Sequence, residues 1–267
     1  MSEQKDIKMV AIDIDGTLLG PDGTISQENA QAVQRLKSQG LEVILASGRS
    51  HANMLPFHTS LQLTSPLVSV HGAVVRESSG RPKGASVLPE EVVRELTVAG
   101  READAAVMLY RNEGVFFERR TPVTEFDQSR NAEPQKFVAD LLQDCSGVHK
   151  VMWLTEPAMI DRLKSPVTQR FSADTDIYHT DPPYLEFVAP GVSKAVGLGL
   201  IAQELGLKNS EIAAFGDGNN DVPMLAWAGI GVAVAHATEA AKSAARLIGP
   251  EGPADTALAR AIKVVFG

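Results

Sequence analysis

The stretch Val10-Ala11-Ile12-Asp13-Ile14-Asp15-Gly16-Thr17-Leu18 places two carboxylates directly after an apolar run. We read residues 7–15 as a β-strand, in which positions two apart point to the same side, so Asp13 and Asp15 should emerge together at its end. In an open α/β sheet, ligands bind at that end of the strands. Two such acids can also be plain turn and capping residues. We favour a functional site, because two carboxylates with no Lys or Arg beside them in sequence are costly unless a cation binds there.

The composition indicates a folded chain of one large domain or two ordinary ones. Its 267 residues are 44% hydrophobic and 22% charged, which provides for a core and excludes disorder. No apolar run approaches the ~20 residues that span a bilayer, and residues 1–8 lack an apolar signal segment, so we expect a cytoplasmic protein with no membrane partner. The net charge of −8 argues against a nucleic-acid partner. The single cysteine, Cys145, excludes an internal disulfide and a cysteine-based zinc site.

Strands and helices alternate in the first part of the chain. A helix from Ser26 to Gln39 follows the first strand, and residues 41–46 and 66–70 form two further strands. The second of these three strands runs into Ser47-Gly48-Arg49, which places another small polar side chain at a strand end. The alternation predicts an α/β fold, a Rossmann-like parallel sheet with helices on both faces.

The pattern changes after a run rich in Gly, Ser and Pro at residues 78–84. The predicted elements beyond it are helices at about 89–103, 134–143 and 156–164, strands at 105–110, 115–119 and 148–154, and two more short strands. Antiparallel strands mixed with helices indicate an inserted α+β domain rather than more of the parallel sheet. We place this domain at 83–187, which leaves residues 1–82 and 188–267 for the core.

Polar signals return where the core resumes. Val192-Ser193-Lys194 begins a helix that runs to Leu205, and its first turn is an unfavourable place for the Lys194 cation unless an anion offsets it. The apolar strand 212–215 leads into Gly216-Asp217-Gly218-Asn219-Asn220-Asp221, an oxygen-rich loop suited to a hard cation such as Mg²⁺. The loop lacks the terminal Glu and the length of an EF-hand, so that class of site is excluded.

Four motifs of the chain together resemble those of the haloacid dehalogenase superfamily. In family order they are Asp13-x-Asp15-Gly16-Thr17, Ser47-Gly48-Arg49, Lys194 and Gly216-Asp217-x-x-Asn220-Asp221. The 34 residues from Asp13 to Ser47 leave no room for an inserted domain, whereas the 147 from Ser47 to Lys194 do. An α+β insertion at that place resembles the Cof-like, type IIB phosphatases, many of which act on sugar phosphates.

The resemblance implies a phosphoric monoester hydrolase of the phosphatase type. Asp13 would attack phosphorus and form an aspartyl phosphate, while Asp15 would protonate the leaving alcohol and later take a proton from water. Ser47, the Gly48 N–H and Lys194 would hold the phosphoryl oxygens. We expect the substrate to be a small phosphorylated metabolite, and a monomer is sufficient for this chemistry.

The same resemblance implies a Mg²⁺ site. The implied metal ligands are Asp13, Asp15 through its main-chain carbonyl, Asp217 and Asp221. Asn220 and Asp221 would position Lys194 and the metal-bound water, and Asn220 also belongs to the implied phosphate-binding group.

Two other functions stay open from the sequence. A phosphomutase resembles this core but returns the phosphoryl group to its substrate, and a non-catalytic phosphosugar-binding module would keep the fold without turnover. The likeness itself departs at His71 and His236, where relatives commonly carry Asn. We expect these two histidines, like the other four, to have structural or surface roles.

Overall fold

A computed structural model of the chain describes residues 6–179 and 184–267, apart from the side chain of Arg130. Residues 1–5, part of the segment on which the cytoplasmic expectation rests, lie outside the described residues. Across the described ranges, no helix is both long enough and apolar enough to cross a bilayer.

The described elements alternate between strands and helices along most of the chain. The strands are β1 (Met9–Ile12), β2 (Glu42–Leu45), β3 (Leu67–Ser69), β4 (Val74–Arg76), β5 (Pro82–Ala85), β6 (Ala106–Arg111), β7 (Gly114–Phe117), β8 (Gln135–Phe137), β9 (Lys150–Leu154), β10 (Asp176–Tyr178), β11 (Tyr184–Val188), β12 (Ile212–Gly216), β13 (Ile230–Ala233) and β14 (Leu247–Ile248). The α-helices are α1 (Gln27–Ser38), α2 (His51–Ser60), α3 (Glu90–Glu102), α4 (Pro122–Arg130), α5 (Pro157–Phe171), α6 (Lys194–Glu204), α7 (Val222–Trp227), α8 (Glu239–Ala244) and α9 (Ala257–Phe266).

The chain divides into two compact units. The first comprises Met1–Gly84 and Ser193–Gly267, and the second comprises Ala85–Val192. The sequence-based prediction had set the limits of the insertion at 83 and 187.

The first unit is built on a five-stranded sheet in the order β14-β13-β12-β1-β2, with every neighbouring pair parallel. All four residues of β1 are fully buried. Since successive side chains of a strand point to opposite faces, the sheet must be covered on both sides. The predicted α/β class, with a parallel sheet and helices on both faces, is confirmed.

The third predicted strand joins this sheet only loosely. β3 belongs to a separate three-stranded sheet in the order β3-β4-β5 and pairs with β4 in antiparallel fashion. An isolated parallel bridge between Ala46 and Val68 connects it to the end of β2. The polar residues that follow β1, β2 and β12 therefore gather at one edge, because parallel strands end on the same side.

The first strand is shorter than predicted, and the difference affects the two aspartates. β1 ends at Ile12, and the chain then turns through Ile14–Leu18, where Asp15 has extended backbone angles (φ −80°, ψ 121°) and Gly16 has a φ of +79°. Asp13 and Asp15 thus follow the last paired residue of β1, and their side chains make different contacts, Asp13 with Lys194 and Asp15 with Arg49. The predicted end of the strand at residue 15 is therefore wrong, whereas both aspartates do lie just beyond the strand.

The second unit contains a six-stranded sheet in the order β10-β11-β9-β6-β7-β8. Its pairs are antiparallel except for the parallel pair of β7 and β8. Apolar residues of α3 and α5 pack against one face around Trp153. A second apolar cluster around Met108 and Met152 lies on alternate positions of β6 and β9.

Two helices of the second unit were not predicted correctly. The predicted helix at 134–143 is wrong, because residues 135–137 form the strand β8, which pairs with β7. The Pro134 carbonyl also accepts from the Val115 N–H at 3.0 Å. The helix α4 was missed, although Thr121 and Pro122 form a typical helix start, with the Thr121 hydroxyl accepting from the Thr124 N–H.

Candidate active site

Asp13 immediately follows β1, and its side chain is buried, with the residue 4% exposed. Its backbone N–H donates to the Phe215 carbonyl at 3.0 Å, which ties the strand end to the neighbouring β12. The Lys194 ammonium donates to Asp13 Oδ1. The residue expected to be the nucleophile thus lies in a fixed and largely water-excluded position.

Lys194 is the first residue of α6 and is fully buried. Its Nζ donates to Asp13 Oδ1 and to Asp221 Oδ1, the latter at 2.6 Å. Burial alone lowers the pKa of Lys194, but the two carboxylates outweigh burial, and the pKa is raised above its ordinary value. These carboxylates are the anions that the unfavourable helix position requires.

The loop after β12 folds back on itself around Asp221. The backbone N–H groups of Asp217 and Gly218 both donate to Asp221 Oδ2 at 2.9 Å. The Thr17 hydroxyl donates to Asp217 Oδ1 at 2.9 Å, and this contact connects the loop to the turn after β1. Gly16 is required in that turn, because a Cβ there would lie 2.3 Å from Asp217 Oδ2 and its φ is positive.

Asp13, Asp217 and Asp221 can together hold a metal ion. One ligand oxygen from each carboxylate lies within 4.8 Å of the others. Burial, followed by the neighbouring Asp221 charge, raises the pKa of Asp13 well above its usual range and that of Asp217 to about 6. Lys194 opposes both shifts. A buried set of oxygen donors with excess negative charge fits a hard divalent cation.

Ser47 and Gly48 follow β2, which neighbours β1 with Leu45 opposite Ile12. Ser47 is 1% exposed; its N–H donates to the Val68 carbonyl at 2.9 Å, and its hydroxyl accepts from the Arg49 N–H at 3.1 Å. Since β1 and β2 are parallel, this turn lies at the same edge of the sheet as Asp13.

Asp15 forms an ion pair of its own with Arg49. Arg49 Nε donates to Asp15 Oδ2 at 2.8 Å, and Arg49 Nη2 donates to Asp15 Oδ1 at 2.6 Å. The Asp15 side chain is 53% exposed, in contrast to the buried Asp13. Asn220 is half-buried in the single helical turn Asn219–Asp221, next to Asp221.

Arg49 and Thr17 lie within the quoted motifs, but no role was predicted for either residue. The pairing of Arg49 with Asp15 spans 34 residues, so no local sequence pattern reveals it. The Thr17 contact with Asp217 spans 200 residues and is equally invisible in the sequence.

His71 and His236, which depart from the family pattern, contact the turns that follow β2 and β1. The ring of the fully buried His71 lies against Gly48, where a Cβ would be 2.3 Å from His71 Cε1. The exposed His236 donates from Nε2 to the Gly16 carbonyl at 2.8 Å. Val70 and His71 both have a positive φ, which is strained for a β-branched residue and marks the turn as tightly constrained.

Comparisons with known proteins identify the family. The model of the haloacid dehalogenase-like hydrolases matches residues 10–262. The chain is similar to an HMP-PP phosphatase of Serratia proteamaculans, with 28% identity over 88% of this chain and 86% of that protein. It is 29% identical to the 5-amino-6-(5-phospho-D-ribitylamino)uracil phosphatase YitU of Bacillus subtilis, over 89% of this chain and 90% of the relative.

A solved structure leads to the same family. A phosphatase of the haloalkanoate enzyme superfamily from Bacteroides thetaiotaomicron superimposes with a TM-score of 0.83 at 28% identity, covering 99% of this chain and 97% of its own. The resemblance drawn from the four motifs, to a Cof-like, type IIB phosphatase, is confirmed. The chain therefore belongs to the haloacid dehalogenase-like hydrolases.

Proposed function

We propose that the chain is a Mg²⁺-dependent phosphatase that hydrolyses small phosphomonoesters, with sugar phosphates as its substrate class, through an aspartyl phosphate on Asp13. The observation that carries this proposal is the buried contact of Asp13 with Lys194 in a group of acids that can share a cation. Family membership and the names of the two relatives, both phosphatases, support it.

In the proposed first step, an Asp13 oxygen attacks phosphorus while the bond from phosphorus to the alcohol oxygen breaks. Asp15 supplies a proton to that departing oxygen. In the second step water attacks the aspartyl phosphate, Asp15 takes the water proton, and inorganic phosphate leaves as the Asp13 carboxylate is restored. The charged Lys194 offsets the negative charge around Asp13 in both steps.

Asp13, Asp217 and Asp221 would hold the Mg²⁺, with the Asp15 carbonyl as the further ligand that the family resemblance implies. When bound, the ion neutralises negative charge on the carboxylates and on the phosphoryl group. The pKa values of Asp13 and Asp217 are raised because their ionised forms are unfavourable in this buried, negatively charged group. A nearby cation would favour the ionised forms, so the raised pKa values support this assignment. Ser47, the Gly48 N–H and Asn220 are proposed to contact the phosphoryl oxygens.

The insertion, residues 83–187, is proposed to select the substrate. Every residue given a chemical role lies outside it, which supports a division between catalysis and selection. The hairpin turn 111–113, between β6 and β7, is engaged within its own unit: Arg111 Nη1 donates to Asp144 Oδ2 at 2.6 Å. Asn112 Oδ1 also lies 2.9 Å from His149 Nε2. We therefore assign this turn a structural role and leave selection to other residues of the insertion.

A screen of phosphorylated metabolites, with Mg²⁺ or with EDTA, tests the proposed function. We expect continuous release of inorganic phosphate that requires the metal. A single burst followed by transfer of the phosphoryl group between sugars would favour the phosphomutase, and binding without any release would favour the phosphosugar-binding module. Substitutions in the insertion should reorder the preferred metabolites while p-nitrophenyl phosphate is cleaved as before.

A further inference from the structure

The ion pair of Asp15 with Arg49 has a geometry that the proposed mechanism does not explain. Both oxygens of Asp15 accept from Arg49, at 2.8 and 2.6 Å, in the two-bond arrangement that is strongest between a guanidinium and a carboxylate. A carboxylate engaged at both oxygens cannot at the same time deliver a proton to a leaving alcohol. In the described arrangement, the residue proposed as general acid is therefore unavailable.

The backbone of Arg49 is fixed at both of its polar groups. Its N–H donates to the Ser47 hydroxyl at 3.1 Å, and its carbonyl accepts from the Val70 N–H at 2.8 Å. The guanidinium lies over the Phe57 ring, 5.2 Å from its centre, and the side chain is 25% exposed. A rigid backbone with a partly exposed side chain lets the guanidinium change partners without a change in the fold.

The same two-donor guanidinium matches a phosphate as well as a carboxylate. Arg49 directly follows Ser47 and Gly48, the residues proposed to receive the phosphoryl oxygens. A phosphate dianion at that turn carries more charge than the Asp15 carboxylate and competes with it for Arg49.

We infer that Arg49 is a positioning residue that holds Asp15 inactive until a phosphorylated ligand binds and takes over its guanidinium. The inference rests on the proposed role of Asp15 as general acid and base. Once released, Asp15 takes a proton from solvent and passes it to the leaving oxygen as that oxygen separates from phosphorus. Binding of a phosphoryl group to Arg49 thereby frees Asp15 to act as the general acid.

Binding of inorganic phosphate in the presence of Mg²⁺, measured by calorimetry, tests the competition directly. The proteins compared are the wild type, Asp15→Asn, Arg49→Gln and the double variant. If phosphate must displace Asp15 from Arg49, then Asp15→Asn tightens phosphate binding by about tenfold when Arg49 is present, the value of a charge-assisted hydrogen bond. In the Arg49→Gln background the same change has an effect under about twofold.

Simple charge repulsion predicts the opposite pattern. Without competition, Asp15→Asn would relieve more repulsion when the Arg49 cation is missing, so the tightening would be equal or larger in the Arg49→Gln background. That result, or no detectable binding of phosphate to any of the four proteins, would overturn the inference.

Turnover of two esters supplies a second readout. Arg49→Gln should raise KM by about tenfold or more for an alkyl phosphate and for p-nitrophenyl phosphate, while kcat for the alkyl ester is not reduced relative to kcat for the nitrophenyl ester. A selective fall in kcat for the alkyl ester, whose leaving group needs a proton, would mean that Arg49 supports Asp15 instead of restraining it, and would contradict the inference.

The ion pair of Arg81 with Glu77 is the matched control. It joins the same two functional groups in the same unit, with Arg81 Nε donating to Glu77 Oε2 at 2.9 Å, and lies in an exposed turn. Arg81→Gln should change neither phosphate binding nor turnover. Should Arg49→Gln fail to fold by circular dichroism, Arg49→Lys takes its place, because the lysine keeps the charge but cannot form the two-bond contact with Asp15. Asp15→Asn should then tighten phosphate binding less in the Arg49→Lys background than in the wild type, and equal tightening in the two backgrounds would overturn the inference.

The proposed function and the inference can fail separately. Release of phosphate from an ester, without coupling between Arg49 and Asp15 in phosphate binding, would support the proposed phosphatase and reject the restraint of Asp15 by Arg49. Coupling in phosphate binding without release of phosphate from any ester would reject the phosphatase and keep the competition.

Discussion

Each of the two units buries a lysine against carboxylates, but the surroundings differ. In the second unit, Lys150 donates to Glu186 across neighbouring antiparallel strands, and its Nζ lies 4.3 Å from the centre of the Tyr110 ring. In the first unit, Lys194 contacts Asp13 and Asp221. Within the described part of the chain, the trio of acids able to share a metal lies there and nowhere in the second unit.

The difference distinguishes a structural buried charge from a functional one. Lys150 and Glu186 form a buried ion pair between neighbouring strands of a sheet, and removing either partner would leave the other as a buried charge without that partner. Around Lys194, three carboxylates that can share a metal ion lie near a single ammonium, and burial, followed by the neighbouring negative charge, raises the pKa values of Asp13 and Asp217. Such an arrangement is costly for folding and is expected where a cation and a phosphoryl group bind.

Substitution of Asp13 should reduce phosphatase activity more than any other change, whereas a matched substitution in the second unit should not. Asp13→Asn should lower turnover of p-nitrophenyl phosphate by at least about 10⁴-fold, because the amide is not a nucleophile. Asp127→Asn is the matched control, since Asp127 is another buried carboxylate, 2% exposed, in the second unit. Phosphate release from this ester should be nearly unchanged in the control. Near-normal activity of Asp13→Asn, with a normal circular dichroism spectrum, would reject the covalent mechanism.

The two lysines should respond differently to the same substitution. Lys194→Met should reduce turnover by about 10²- to 10³-fold, as on losing one preorganised donor to a developing charge. Lys150→Met should leave turnover of p-nitrophenyl phosphate intact and lower the free energy of unfolding by about 3–5 kcal/mol, because Glu186 stays buried. Urea unfolding and phosphate release measure the two effects. If both variants lost activity equally, the distinction between the lysines would fail.

A smaller effect is expected in the metal requirement. Asp217→Ala should raise the Mg²⁺ concentration for half-maximal activity by at least about tenfold, since even residues beyond the direct ligands typically cost 10- to 100-fold in metal affinity. Asp22→Ala, at an exposed acid of the same unit, provides the control. An unchanged Mg²⁺ titration would remove Asp217 from the metal site.

The smallest effect concerns stability without metal. The pKa of Asp217 is about 6 in the folded protein, above its ordinary value, so the folded state holds a proton that the unfolded state has lost between about pH 4 and 6. Stability that is present below this window is lost as the pH rises through it. With EDTA, Asp217→Asn should therefore gain stability relative to the wild type between pH 4 and 7.5, by about 2–3 kcal/mol. Thermal unfolding at the two pH values would show it, and a pH-independent difference would contradict the charge argument.

The gathering of the candidate residues at one edge of the sheet could be predicted from the sequence, but their contacts with one another could not. Asp13 was located because a buried strand followed by Gly and Thr must end there, and the anions near Lys194 were anticipated from its place in a helix. The orientation of Asp15 was not predicted, because it depends on Arg49, a contact that no local pattern encodes. In the second unit, residues 135–137 pair with the edge of β7, and such long-range pairing overrides local preference.

Asp13 is proposed to receive the phosphoryl group, and rapid acid quenching during turnover of a substrate would trap the modified protein. Mass spectrometry of the tryptic peptide 9–35 would then locate the modification. We predict one added phosphoryl group on Asp13, present with Mg²⁺ and absent in Asp13→Asn. Steady turnover with the peptide unmodified, or with the group on any other residue, would contradict it.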